Sequence, residues 1–230
     1  SKDPFSEKDE YYISVGLNSG MKESDFERKK LNLVVVLDVS GSMGSAFNQY
    51  HYDQYGNQMS SGNINDDYTK SKMKVATESL VGLIDNLNDD DKLGVVLFSN
   101  SAHLSKPLES MEITDKEQLQ KNILEIYASG GTNMASGIQM GTSLFDEDLD
   151  SNQFEYENRI IFLTDAMPNT GEIRENGLFG MIKSNAEKNI YTTVIGIGVD
   201  FNTELIEEIT KVSGANYYSV HSSSSFEKRM

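Results

Sequence analysis

The chain has 230 residues, with 20 Lys and Arg against 36 Asp and Glu, for a net charge of −16. That balance repels phosphate and argues against a nucleic-acid partner, which needs clustered basic side chains. At 37% hydrophobic residues the chain can bury a full core, and its length suits one large domain. Cysteine is absent, which removes thiol catalysis, zinc–thiolate sites and disulfides. No apolar run approaches the roughly 20 residues a membrane-crossing helix needs, so no membrane insertion is expected.

In chain order, residues 1–30 read as an N-terminal extension with a short edge strand at Tyr11–Leu17. Leu31 to Asp38 is an apolar, β-branched run of the kind buried on both faces of a parallel sheet. Residues 44–69 break the pattern: they are rich in Asn, Gln, Tyr, Gly and Ser, and too long for a strand-to-helix turn. Helical spacing returns with Met73, Ala76, Leu80, Leu83, Ile84 and Leu87. Lys92–Ser99 is a second buried strand, and His103–Leu108, with Pro107, is a short edge strand. Thr114 to Glu117 has the form of a capping box, opening a helix with Leu119, Ile123, Ile126 and Tyr127 on its apolar side.

Gly130-Gly131-Thr132-Asn133 is a tight loop before a helix through Met134, Ile138, Gly141 and Phe145. Residues 146–158 are acidic and loop-like, and Arg159 to Asp165 is a third buried strand ending in a carboxylate. After a Pro/Asn/Gly loop at 166–176, a helix carries Leu178, Ile182 and Ala186, and Ile190 to Gly196 is a fourth buried strand. A last helix, capped by Asn202 or Thr203, presents Leu205, Ile206, Ile209 and Val212 and stops at Gly214. Ala215 to Val220 closes the sheet, and 221–230 reads as the start of a linker or a cut helix. Strands alternating with helices predict a doubly wound, mostly parallel α/β sheet with helices on both faces. The chain reads as one module of a larger multidomain protein.

Three segments send oxygen ligands to one edge of that sheet. Asp38, Ser40 and Ser42 leave the first strand, Thr132 sits in the glycine loop, and Asp165 ends the third strand. Open α/β sheets build their ligand sites at this carboxyl edge. A set of hard oxygens with only two carboxylates suits Mg²⁺ or Mn²⁺, with Ca²⁺ the further option. Taken alone, Asp-x-Ser-x-Ser is equally a strand-end cap followed by a turn.

The pattern Asp-x-Ser-x-Ser, then a threonine in a glycine loop, then a strand-terminal aspartate, resembles the von Willebrand factor type A domain over residues 31–220. Its closest flavour resembles inter-α-trypsin-inhibitor heavy chains and bacterial surface relatives. The resemblance implies a Rossmann-like fold with a metal-ion-dependent adhesion site formed by Asp38, Ser40, Ser42, Thr132 and Asp165. It implies a partner protein whose Asp or Glu completes the metal shell, and an extracellular or cell-surface setting, with cytoplasm and periplasm left open. The integrin β version carries acidic residues after the equivalent of Met43; Gly44 and Ser45 here imply no adjacent regulatory ion.

The insert at 44–69 leaves the first strand beside this site. Its Tyr50, His51, Tyr52 and Tyr55 are candidate partner contacts, since Tyr- and amide-rich loops give large, adaptable contact surfaces; a hairpin packing its aromatics on the domain is the other reading. Asn133 and Asn169 border the expected metal and join that candidate set. The three histidines suggest no relay, Gly196-Ile197-Gly198 lacks the rest of a phosphate fingerprint, and Met140, Met167 and Met181 suit core filling. The expected function is metal-dependent protein binding or adhesion, without catalysis. The alternatives are an intracellular assembly or adaptor subunit and a Mg²⁺-dependent phosphoryl-transfer enzyme. The last lacks a second acid two positions beyond Asp38, an evident phosphate-binding lysine and a general base.

Overall fold

The computed structural model describes residues 28–46, 51–52, 58–59, 70–146, 155–165, 177–198 and 203–220. The predicted strand at Tyr11–Leu17, the loop 166–176 and the segment 221–230 lie outside them, as does most of the 44–69 insert. The strands are β1 (Lys30–Asp38), β2 (His51–Tyr52), β3 (Gln58–Met59), β4 (Lys92–Phe98), β5 (Ala102–Ser110), β6 (Tyr156–Thr164), β7 (Ile190–Ile197) and β8 (Asn216–Val220). The helices are α1 (Lys72–Asp85), α2 (Lys116–Leu124), α3 (Met134–Ser143), α4 (Leu178–Glu187) and α5 (Thr203–Thr210).

Six strands form one sheet in the order β5-β4-β1-β6-β7-β8. All neighbours are parallel except β5, which runs antiparallel to β4 at the edge. Alternation along β1 divides the core into two layers. Leu33, Val35 and Leu37 pack with Met73, Ala76, Leu80 and Ile84 of α1 and Ile123 of α2. Val34 and Val36 pack with Ile138 of α3, Ile182 of α4 and Ile209 of α5. The predicted doubly wound sheet is therefore present; within the insert, Ala46 bridges to Ser71, and β2 pairs with β3 as a two-residue ribbon.

Helix α3 lies unusually close to the sheet. A Cβ on Gly141 would stand 2.6 Å from Val36 Cγ2, and one on Gly137 would stand 2.8 Å from the Phe98 ring. These glycines let α3 settle directly on β1 and β4, which brings its N-terminal loop down onto the carboxyl edge of the sheet.

Some boundaries move from the sequence reading. The cap of α2 is Asp115, which accepts from Gln118 N, rather than Thr114. Thr114 instead donates its hydroxyl back to Ser110 O at 2.8 Å, at the end of β5. That helix ends at Leu124, leaving Tyr127 beyond it and 79% exposed. Strand β6 starts at Tyr156 within the stretch read as loop; its first residues already pair with Lys30 and Leu31 of β1. The edge strand β5 extends to nine residues, blunted by Pro107 and by the inward-held charge of Lys106.

Candidate metal centre

The sheet order fixes where a site can form. From β1 the chain crosses to β4 on one side, whereas β6, β7 and β8 are added on the other. The crevice between the carboxyl ends of β1 and β6 is thus the topological switch point. The parallel register pairs Leu37 with Leu163, so the residues that follow each, Asp38 and Thr164, stand side by side at that edge.

The four predicted ligands on these two segments form a continuous chain. Asp38 Oδ1 accepts from Ser40 N at 2.8 Å, and its Oδ2 accepts from Thr164 Oγ1 at 2.6 Å. The hydroxyls of Ser40 and Ser42 lie 3.1 Å apart. Ser42 Oγ donates to Asp165 Oδ1 at 2.8 Å, and Lys72 Nζ donates to Asp165 Oδ2 at 2.7 Å. Asp38 is fully buried. Burial pushes its carboxyl above the usual range, the bonds from Thr164 and Ser40 pull it back, and the neighbouring charge of Asp165 adds to the rise.

Thr132 reaches the same rim on a loop held by main-chain bonds. Ser129 N donates to Val39 O at 2.7 Å, Gly41 N to Gly130 O at 3.0 Å, and Asn133 N to Ser99 O at 2.7 Å. Gly130 has φ of +82°, and a Cβ on Gly131 would fall 2.7 Å from Asn100 Oδ1, so the loop needs both glycines. The Thr132 side chain is exposed and makes no hydrogen bond to a described residue.

Of the predicted partner contacts, Asn133 is the N-cap of α3: its side chain accepts from Ser136 N at 3.1 Å. His51 and Tyr52 form one strand of the short ribbon. Tyr50, Tyr55 and Asn169 lie outside the described residues. His103 Nε2, at the exposed start of β5, and Ser101 Oγ lie 3.1 Å apart, without a hydrogen-bonded carboxylate among the described residues.

Two members of the cluster escaped the sequence reading. Thr164 was legible only as a hydroxyl at the end of a buried strand. Lys72 went unassigned in the sequence; its one local signal is a cation at the first residue of a helix that has no acidic residue in its first turn.

No group of three His, Cys, Asp or Glu side chains converges among the described residues. The donor set here is of another type, two carboxylates joined through hydroxyls, which suits a hard cation. Lys72 balances one of the two carboxylates, and the fully buried Asp38 has no cationic partner among the described residues. The residues present fit a divalent ion.

Together the sheet order and the oxygen-lined switch point define a Rossmann-like α/β domain. The chain belongs to the von Willebrand factor type A domain family, whose model matches residues 60–229. The match begins beyond Asp38, Ser40 and Ser42. Over 189 residues the chain is 24% identical to the uncharacterised protein sll0103 of Synechocystis, covering 82% of this chain and 37% of that protein. Human inter-alpha-trypsin inhibitor heavy chain H2 is 24% identical over 185 residues, covering 78% of this chain and 17% of that one. The chain thus spans well under half the length of these relatives. Among solved structures, proximal thread matrix protein 1 from the mussel byssus, described with a zinc-occupied metal-ion-dependent adhesion site, superposes with a TM-score of 0.60. It is 18% identical, and the likeness covers 87% of this chain and 46% of that one, which establishes the shared fold.

Proposed function

We propose that the chain is a protein-binding module whose metal centre captures a carboxylate from a partner. The observation that carries this is the unbroken chain Asp38–Ser40–Ser42–Asp165 at the switch point, with Thr132 delivered to the same rim. Asp38, Ser40, Ser42, Thr132 and Asp165 would hold Mg²⁺ or Mn²⁺, with Ca²⁺ as the further hard-cation option. When bound, the ion supplies an electrophilic position that an Asp or Glu of the partner can fill. The neutral hydroxyls favour this, because they hold the ion without cancelling its charge. The zinc described in the mussel protein supports a divalent ion at this place in the fold.

The net charge of −16 fits a partner that is a protein engaged at one electrophilic point and not a nucleic acid. An extracellular or cell-surface setting within a larger protein suits such a module. The insert, whose base leaves the site at Ala46, is the part of the rim that would select the partner. Phosphoryl transfer is the weaker reading: Ser40 stands where a second acid would be needed, and the nearby ammonium of Lys72 is spent on Asp165.

Calorimetric titration of Mg²⁺ into the metal-stripped domain tests the centre. Saturable binding near one equivalent is expected, lost in Asp38→Ala and sharply weakened in Thr132→Ala while the fold persists. Binding that survives Asp38→Ala would overturn the assignment. A fold lost without metal in either variant would point instead to a structural cluster.

A further inference from the structure

We infer that Lys72 is a tethered counter-cation of the metal centre, competing with the divalent ion for Asp165 and thereby weakening metal binding until an anionic partner arrives. This rests on the metal-binding reading above.

Lys72 is the first residue of α1, at the positive end of the helix dipole, where a cation is disfavoured. The first turn holds no acid to offset it, and the cap is supplied by Ser71, whose side chain accepts from Lys74 N. Nothing in the helix itself calls for a lysine here. Both ends of the residue are nevertheless fixed. Its amide donates to Ser45 O at 3.0 Å, next to the Ala46–Ser71 bridge, so its backbone is tied to the loop that carries Ser40 and Ser42. Its ammonium lies 2.7 Å from Asp165 Oδ2, with the two side chains 17% and 1% exposed.

Asp165 therefore has both oxygens engaged, one by Ser42 and one by Lys72. The exclusion of water from this pair makes the contact stronger than an exposed ion pair. A dication entering the cluster meets a fixed positive charge on the far oxygen of one of its two carboxylates. Counting Asp38 and Asp165 as ionised, Lys72 leaves the cluster at −1, and a bound dication takes it to +1. The loaded site then carries an excess positive charge that a partner's carboxylate neutralises. Metal and acidic ligand bind cooperatively for this reason, each reducing the cost of the other.

The test measures Mg²⁺ affinity by calorimetry for wild type, Lys72→Met and the charge-keeping Lys72→Arg, with circular dichroism as the check on folding. Lys72→Met should bind Mg²⁺ about tenfold more tightly, as removing a like charge near a partly buried ion predicts, while Lys72→Arg should stay near wild type. Unchanged or weaker binding in Lys72→Met, with wild type still binding, overturns the competition alone. Absence of binding in all three proteins overturns the metal reading itself and the competition with it. Should Lys72→Met fail to fold, Lys72→Gln removes the charge while keeping a polar tip and is read by the same criteria.

Discussion

Thr164→Val removes one hydroxyl and keeps the β-branched shape that suits the end of strand β6. In the native protein that hydroxyl donates to Asp38 Oδ2 at 2.6 Å in a buried setting, while the other oxygen takes the amide of Ser40. A hydrogen bond to a charged acceptor contributes about 1.5–3 kcal/mol, and an orphaned buried acceptor costs a similar amount. With a urea dependence of about 3 kcal/mol per molar for a domain of this size, the metal-free midpoint should fall by roughly 0.5–1 M. The same bond orients Asp38 toward the proposed ion, and loss of such outer contacts weakens metal affinity by about 10–100-fold. Urea unfolding in chelator and Mg²⁺ calorimetry read the two effects separately, and Thr164→Ser should restore both. An unchanged midpoint would refute the account of Thr164 as the group that satisfies Asp38. A lowered midpoint with unaltered Mg²⁺ affinity would refute contact between Asp38 and the metal.

Asp91, fully buried at the opposite edge of the sheet, accepts from Leu31 N, Asn88 N and Arg28. Asp91→Ala should cost about 3 kcal/mol in urea unfolding by leaving those donors unmatched, yet leave Mg²⁺ affinity at the wild-type value. Gly141→Ala drives a methyl to within 2.6 Å of Val36 Cγ2 and should cost about 1–3 kcal/mol by thermal unfolding. Gly82→Ala, on the open face of α1 with nothing within 4 Å, should add about 0.5–1 kcal/mol by the same measurement. Burial holds Lys106 below its ordinary pKa, outweighing the help of Glu109. A lysine with a depressed folded-state pKa destabilises the fold while it is charged and stops doing so once both states are neutral. Lys106→Met should therefore be more stable than wild type at neutral pH, and its advantage should fade as pH rises through the folded value to 10.5. An advantage independent of pH in unfolding curves would mean that packing, rather than charge, sets the difference.

What was legible beforehand follows from the range of the forces involved. Strand β1 is legible because burial on both faces favours an unbroken apolar run, and Val34, Val35 and Val36 are all fully buried. The loop at 130–133 was legible because a left-handed backbone and a close approach to Asn100 leave glycine little competition. The capping box at Thr114 does not form because two adjacent residues, Thr114 and Asp115, each carry a side-chain oxygen able to accept from the first turn of α2. The turn from β5 supplied the Ser110 carbonyl first, and Asp115 took the cap.

The electrostatic half of the centre was illegible for a different reason. Asp165 meets Lys72 across 93 residues and Asp38 meets Thr164 across 126, and no periodicity in the chain encodes a pairing at that distance. Candidate oxygen ligands can be picked out by residue type and spacing because a hard cation asks the same chemistry of any segment. Their counter-charges cannot, since any lysine brought to the rim would serve. The sheet register brings Thr164 to Asp38, and the return of the chain after the insert brings Lys72 to Asp165. The candidate oxygens are therefore written in local sequence, whereas the charge balance around them is set by the topology that returns α1 to the same edge.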